Sequence, residues 1–381
     1  MQELTQARNH AGKTAAERPL PVVNAHNGWS LLEEAIVGRP LHVAYDGDIS
    51  FRLFFSEALR SRANRSERGP WEIAADSDAE QRLRAELEED TEAFVALLED
   101  EGVRVRRPEP LHEPVTIRTP DWTTEMGHSL MPRDMFLVVG NELIETAPLV
   151  RSRYFEAHLY KSLFMEYFAA GAKWTVAPRS KLLEHNFDFS HALALGYADE
   201  VPANPAYEIM FDGAQVLRLG RDLLFNCATE NHRLGMRWLE RQVGPDYHVH
   251  EINVSGNHID ARVLALRPGT LLVHEEIRLE QLPPFLREWE MVRYSPAGKD
   301  LEPGAYGGRP VLASMGLGMN VLSIDEERVV VQQGQSGLIR DLERAGFTPL
   351  PSPWRHGRMV GGGFHCMTLD VRRRSVLESY F

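Results

Sequence analysis

The hydrophobic and polar positions along this chain follow two spacings, one typical of helices and one typical of strands. Between residues 78 and 100, apolar residues at helical spacing interrupt a run of charged ones: Leu83, Leu87, Phe94, Leu97 and Leu98. This pattern predicts a helix with one apolar face. Residues 101–108 then combine a glycine, alternating Val and Arg, and a proline, which predicts the end of that helix, a strand and a turn.

Similar segments, each with the end of a helix, a strand and in most cases a proline, recur along the chain. They lie at residues 170–178, 244–250, 287–296 and 345–351, and helix-like stretches precede them, for example at 160–168, 232–242 and 337–344. An apolar run comes before each helix, at residues 34–37, 136–139, 223–225, 270–273 and 329–331. We therefore predict five divergent copies of a strand and helix module, which makes the fold class α/β in one compact domain.

The two ends of the pattern set the domain boundaries. Residues 1–21 are polar with scattered charge and no period, which predicts a flexible N-terminal arm followed by a single domain over 22–381. A strand is expected just before Gly38. Residues 52–76 are rich in Arg, Ser, Asp and Gly and are predicted to form a surface excursion.

Composition narrows the possible partners. The chain has 381 residues, 43% hydrophobic and 25% charged, and a formal net charge of -13 without a basic block, which argues against nucleic acid as a partner. No apolar stretch approaches the roughly 20 residues of a membrane helix, and a secretory signal is absent from the first residues. The two cysteines, Cys227 and Cys366, have no paired spacing, so neither a disulfide framework nor a Cys-rich zinc site is expected. We expect a soluble, cytoplasmic protein.

A polar residue lies at the start of the apolar segment that follows each of these repeated segments, and we call it a polar opening. These openings are Asp134, then Asp212, then His258 with Asp260, then Ser314 with Asn320, and finally Cys366. Modules arranged about a common axis would bring these side chains to one centre. The result would be a site that combines carboxylates, an imidazole and a thiol, with Cys366 presented after three consecutive glycines as a nucleophile.

Each of these residues also has an ordinary structural explanation. Cys366 could be a buried structural cysteine at the start of a strand, and Asp134, which follows a proline and an arginine, could cap a loop. His258 and Asp260 alternate on one strand face, so a structural hydrogen bond between them is an alternative. The histidines match no known zinc spacing, and no metal or other cofactor is expected.

Five motifs in this chain resemble the amidinotransferase family, which includes glycine amidinotransferase and the inosamine-phosphate amidinotransferases. They lie at residues 131–134 with 139–145, 211–214 with 220–222, 258–260, 318–322, and 361–366 with 370–373, and the resemblance extends over about 24–381. It implies a pentein-like α/β propeller of five modules with pseudo-fivefold symmetry. It also implies a possible homodimer.

The resemblance implies a role for each polar residue. Cys366 would attack the guanidinium carbon of L-arginine to form an amidino-cysteine while L-ornithine leaves, and His258 would be the general acid and then the base, held by Asp212. Asp134 and Asp260 would bind the guanidinium. The other residues assigned to substrate binding are Arg133, Ser314, Ser255, Asn257 and Arg278.

The chain departs from the family pattern at three places. Arg278 is displaced by one position from the arginine that ordinarily meets the donor carboxylate, Gly316 replaces a tryptophan, and the short loop before His258 carries Ser255 and Asn257. These changes predict a roomier, polar acceptor pocket and an amine larger than glycine, such as an aminocyclitol. The alternatives are glycine as acceptor, a deiminase or dihydrolase of the same superfamily that uses water, and a non-enzymatic binding protein.

Overall fold

We describe the protein from a computed structural model. The described residues are 21–40, 48–55, 78–111, 113, 115–127, 129–190, 204–296, 312–313 and 315–381. The predicted N-terminal arm therefore lies outside the described residues except for Pro21. The same holds for most of the predicted surface excursion, although its first residues lie in a short helix, α1 (Ile49–Phe54).

Within these residues the strands form five three-stranded sheets of one topology and a small separate hairpin. In each of the five sheets the middle strand runs antiparallel to the first strand and parallel to the third. The strands are β1 (Leu32–Val37), β2 (Arg104–Arg106), β3 (Thr116–Arg118), β4 (Thr123–Glu125), β5 (Phe136–Val139), β6 (Glu142–Glu145), β7 (Lys173–Val176), β8 (Val216–Leu219), β9 (Asp222–Asn226), β10 (His248–Ile252), β11 (Val263–Arg267), β12 (Thr270–His274), β13 (Glu290–Tyr294), β14 (Leu322–Ser323), β15 (Arg328–Gln332), β16 (Thr348–Ser352) and β17 (Thr368–Arg373). The repeated topology agrees with the five modules predicted from the sequence.

The two ends of the chain share one sheet. The last strand, β17, pairs with β1, and β1 pairs with β2, so the sheet order is β17-β1-β2. The other four sheets, β5-β6-β7, β8-β9-β10, β11-β12-β13 and β14-β15-β16, are each continuous in sequence. Both ends of the domain are thereby fixed by backbone pairing within one module.

A helix connects the second and third strands of most modules. The longer ones are α2 (Asp78–Asp100), α4 (Lys161–Ala169), α5 (Glu230–Val243) and α6 (Ser336–Arg344), and the four-residue helices are α3 (Pro132–Met135) and α7 (Gly357–Val360). The predicted helix at 78–100 is confirmed. Between β12 and β13 only short 3-10 helices occur, because Pro283 and Pro284 lack the amide hydrogens that an α-helix needs.

The described polar openings lie just before the first strand of their sheets, Asp134 in the short helix α3 and the others in loops or turns. Asp212 precedes β8, Asn320 precedes β14, and Cys366 precedes β17. The prediction that His258 and Asp260 share a strand face is wrong, because both residues lie in the turn that leads into β11. Cys366 likewise lies in a turn and not at the start of a strand.

The core consists of apolar clusters between neighbouring modules, and one of them contains Cys366. Among the described residues, no helix combines the length and the apolar character that crossing a bilayer requires. The homodimer and the cytoplasmic location stay predictions.

Candidate active site

Cys366 is held in a buried turn by Asn320. The backbone N–H of Cys366 donates to Asn320 Oδ1 at 3.0 Å, and Asn320 Nδ2 donates to the Cys366 sulfur at 3.3 Å. Gly363 packs directly on Asn320, since a Cβ added there would lie 2.8 Å from the Asn320 Cβ. Gly361 adopts φ +78°, which a glycine adopts without strain. The glycine loop thus fits closely around the amide that orients the thiol.

An imidazole flanked by two carboxylates lies beside the thiol. His258 Nε2 is 2.9 Å from Asp212 Oδ2, and His258 Nδ1 is 3.6 Å from Asp134 Oδ1. Ligating atoms of Asp134, His258 and Cys366 all lie within 4.8 Å of one another. The structure therefore brings these sequence-predicted residues together, as the modular interpretation requires.

Asp260 borders the thiol on another side. Its Oδ2 accepts hydrogen bonds from the Cys366 thiol at 3.3 Å and from His365 Nδ1 at 2.7 Å. Its other oxygen, Oδ1, is buried and accepts no hydrogen bond from any described residue, and the same is true of Asp134 Oδ1. A buried carboxylate oxygen without a donor is costly, so these two atoms indicate where a ligand with N–H groups binds.

Two further charged residues near the thiol are a fourth acid, Glu156, and an arginine, Arg153. Arg153 donates to Asp134 Oδ2 at 2.6 Å and to Glu156 at 2.7 Å, and both acids are buried. Burial raises the pKa of Glu156 to about 7, helped by Asp134 and Asp212 and opposed by Arg153. Around the thiol and the imidazole, four acids therefore outnumber Arg153 and His258, and this imbalance favours a cationic ligand there.

The protonation states of the thiol and the imidazole follow from burial and charge. Burial raises the pKa of Cys366 well above its ordinary value, and the charges of Asp260 and Asp134 raise it further, so the resting group is a thiol. Burial alone would lower the pKa of His258, but Asp134 and Asp212 outweigh it and raise that pKa to about 9. The resting imidazole is therefore protonated at neutral pH.

A cavity of about 110 Å³ opens onto the thiol. Its wall includes Cys366, His258 and Asp260 together with Ser255 and Asn257, which the sequence assigned to the acceptor pocket. The rest of the wall consists of two polar residues, Arg262 and Asn320, and of aromatic, small and apolar ones: Phe54, Phe55, Ala261, Leu312, Ala313, Leu317 and Gly361.

Other residues assigned to substrate binding lie elsewhere. Arg133 is buried in an ion pair with Asp370 and donates to the His365 carbonyl at 2.6 Å, and it does not line this cavity. Arg278 is exposed and is absent from the cavity wall, because the residue before it, Ile277, is the one that packs inward. Ser314 lies outside the described residues.

No family model matches this chain. Curated relatives do match it along almost its whole length. Inosamine-phosphate amidinotransferase 1 of Streptomyces griseus is 37% identical, over 95% of this chain and 99% of the relative. The L-arginine:L-lysine amidinotransferase of Pseudomonas savastanoi pv. phaseolicola is 35% identical, over 94% and 96% of the two chains. The chain belongs to the amidinotransferase family.

Two solved structures share the fold of this amidinotransferase. The structure of the Streptomyces griseus inosamine-phosphate amidinotransferase aligns with a TM-score of 0.77 at 34% identity, over 94% of this chain and 99% of the other. Dimethylarginine dimethylaminohydrolase of Pseudomonas aeruginosa aligns with a TM-score of 0.52 at 16% identity, over 89% and 99% of the two chains. The second likeness shows a shared fold and nothing about activity.

Three residues of the candidate site were missed from the sequence. Arg153 binds Asp134 across 19 positions of chain, and Phe54 lies edge-on to His258 with ring centroids 5.3 Å apart. His365, the neighbour of Cys366, holds Asp260, and burial lowers the pKa of His365 to about 4, so this ring is neutral. Only His365 had a signal in the sequence, since it adjoins the cysteine within the same motif.

The atoms of Asp134, His258 and Cys366 are spaced closely enough to hold a metal ion as well. Metal binding would need a thiolate and a neutral imidazole nitrogen. Cys366 and His258 both favour their protonated forms here. The donor set therefore suits an organic cation better than a metal ion.

Proposed function

We propose that this amidinotransferase moves the amidino group of L-arginine to an amine acceptor through an amidino-cysteine intermediate. The observation that carries the proposal is the pair of buried carboxylate oxygens that accept no hydrogen bond from a described residue, Asp134 Oδ1 and Asp260 Oδ1, beside a buried thiol. A guanidinium is planar and cationic and carries N–H donors on its edges, so it can satisfy both oxygens and present its carbon to Cys366.

Binding of the guanidinium would also prepare the nucleophile. The negative charges of Asp260 and Asp134 contribute to the raised pKa of Cys366, and a cation between them offsets that effect. The thiol then releases its proton to solvent and the thiolate attacks. As the C–S bond forms and the C–N bond to ornithine breaks, His258 donates its proton to the departing nitrogen.

The second half-reaction would run the same steps in reverse with a different amine. The incoming amine attacks the amidino-cysteine carbon and gives a proton to His258, which returns to its resting imidazolium state. Asp212 holds the ring through the 2.9 Å contact at Nε2 in both directions. One site that serves both amines in turn predicts ping-pong kinetics.

We infer that the acceptor is larger than glycine. Small residues, Ala261, Ala313 and Ser255, line the cavity beside Asn257 and leave space next to the thiol. The names of two relatives point the same way, because inosamine phosphates and lysine both exceed glycine in size. An aminocyclitol or another bulky amine fits this pocket, although a glycine amidinotransferase of Gallus gallus is also 32% identical.

We also infer that the five sheets surround a common axis as a pseudo-fivefold propeller. Support comes from a buried cluster around Asp370 of β17, which pairs with Arg133, Arg218 and Arg373. Arg218 of β8 also donates to the carbonyl of a β5 residue, and Arg373 to the carbonyl of a β14 residue. First strands from four sheets are thus linked through Asp370 and the arginines that it binds.

Mass spectrometry after incubation with L-arginine alone tests the mechanism. We expect Cys366 to gain the mass of an amidino group with one equivalent of ornithine released, and turnover to start only when an acceptor amine is added. Cys227→Ala is a matched control, because Cys227 is the other buried cysteine and burial raises its pKa to about 12. Citrulline or ammonia formed without acceptor would mean hydrolysis, and ornithine formed without an adduct would mean direct transfer.

A further inference from the structure

Arg262 is a cation in the wall of the active-site cavity to which the sequence assigned no role. Among the described residues that line this cavity, His258 and Arg262 are the two that can carry a positive charge. His258 is already engaged between two carboxylates at the thiol. Arg262 is therefore the other cation of this wall that a negatively charged group of a ligand can contact.

The backbone holds Arg262 in a defined place relative to the thiol site. It lies two residues after Asp260 in the same turn, and its N–H donates to the Ile259 carbonyl at 2.8 Å. Its own carbonyl accepts from the N–H of His274, at the end of β12, at 2.9 Å. Asp260 and Arg262, two residues apart in one hydrogen-bonded turn, thus both line the same cavity.

Glu276, one of the side-chain partners of Arg262, can be displaced by a ligand. Arg262 Nη1 donates to Glu276 Oε2 at 2.6 Å and lies 3.3 Å from His274 Nδ1. The Glu276 side chain is 67% exposed, whereas that of Arg262 is 16% exposed. An ion pair with so exposed a partner contributes little net free energy, so a carboxylate that enters the cavity can replace Glu276.

We propose that Arg262, and not Arg278, binds the α-carboxylate of the amidino donor. This inference rests on the proposed function and deepens it, because it makes the donor an α-amino acid with its guanidinium at the acidic end of the cavity and its carboxylate at Arg262. A planar guanidinium binds a carboxylate through two parallel hydrogen bonds and so fixes the orientation of the donor. Arg262 acts as a positioning residue for the reacting carbon.

Donor binding to a Cys366→Ala background, measured by calorimetry, tests the proposal without turnover. The ligands are L-arginine and agmatine, which differ by the carboxylate alone. We expect Arg262→Met to weaken arginine binding by about 10- to 100-fold, as loss of a charged hydrogen-bonded pair implies. Agmatine binding should change by less than about threefold, and arginine should then bind the variant no better than agmatine does.

Arg278→Met is the matched control, because this arginine is exposed and outside the cavity wall. It should leave both ligands unaffected. A selective loss of arginine binding in Arg278→Met, with Arg262→Met unchanged, would overturn the proposal. An equal loss of both ligands in Arg262→Met would overturn it too, since it would mean a structural role.

The proposed function and this inference fail separately. If Cys366 of the unmodified protein gains no amidino group from arginine, the proposed function is wrong whatever Arg262 does. If the adduct forms while Arg262→Met binds arginine as tightly as the parent does, the chemistry stands and only the carboxylate subsite is misplaced.

Discussion

Replacing Asp212 with asparagine tests how the site keeps its general acid protonated. Asparagine is nearly the same size and retains an oxygen that can accept from His258 Nε2, which is 2.9 Å from Asp212 Oδ2 in the structure. The change therefore removes a negative charge and leaves the ring its hydrogen-bond partner. The expected result is a lower pKa of His258, which now stands at about 9.

The size of this change follows from the contacts. A hydrogen bond to a charged group contributes about 1.5–3 kcal/mol and a neutral one about 0.5–1.5 kcal/mol, so the loss is on the order of 1–1.5 kcal/mol. At about 1.4 kcal/mol per pH unit, the pKa of His258 should fall by roughly one. Asp134, which acts on the same ring, stays in place and keeps the pKa above its ordinary value of 6.5.

Titration of ¹⁵N-labelled histidine by NMR measures this pKa directly. Because the general acid must be protonated in the first half-reaction, the alkaline limb of ornithine release should move to lower pH by the same amount. Asp222→Asn is the control, since Asp222 contacts another imidazole, His250, at 2.7 Å outside the cavity. A pKa of His258 that stays near 9 in Asp212→Asn would refute this account of the site.

Stability should change with pH in the same variant. The folded-state pKa of His258 is raised, so its contribution to stability is complete below about pH 6.5 and is lost as the pH rises through about 9. Asp212→Asn should therefore lower the free energy of unfolding by about 1 kcal/mol at pH 7 and by almost nothing above about pH 9. Urea unfolding at both pH values measures the difference.

Three further predictions concern the position of the thiol, the independence of the reaction from metal ions and the size of the acceptor. Gly363→Ala should strongly reduce the rate of Cys366 amidination, because the new methyl group would displace Asn320. Gly337→Ala should leave that rate unchanged, because a Cβ at Gly337 has no neighbouring atom within 4 Å. Equal rates in the two variants would contradict this reasoning. A strong chelator should not alter the rate of Cys366 amidination, and a loss restored by added metal would count against guanidinium binding at this site. In a panel of amines scored by ornithine release, bulky polar amines should exceed glycine in kcat/KM, and equal values would remove the argument from cavity size.

The modular fold could be predicted because its signals are local. Helical spacing between residues 78 and 100 depends on the charge pattern of that segment alone, and the structure has the helix Asp78–Asp100. Glycines and prolines mark the turns in a similar way. The missing helix between β12 and β13 is the exception, and it also has a local cause in Pro283 and Pro284.

The polar side chains were harder to predict, because their partners are far away in the sequence. Arg133 adjoins Asp134 and was assigned to the substrate, but its side chain pairs with Asp370, 237 positions away. The arginine that does bind Asp134 is Arg153. Adjacent residues often point in different directions, so proximity in sequence could not decide between the two arginines.

Arg278 and Arg262 are the two candidates for binding the donor carboxylate. They show that a shift of one residue in sequence decides whether an arginine side chain faces the cavity or the solvent. Ile277 is buried and Arg278 is exposed, so shifting an arginine by one position turns it away from the cavity. The antiparallel pairing of β11 and β12 places Arg262 opposite His274, at the same edge of the sheet from which the chain continues to Arg278. Arg262, just before β11, can thus take the role that Arg278, which follows β12, does not fill. This pairing is a property of the sheet, and the spacing of arginines in the sequence does not reveal it.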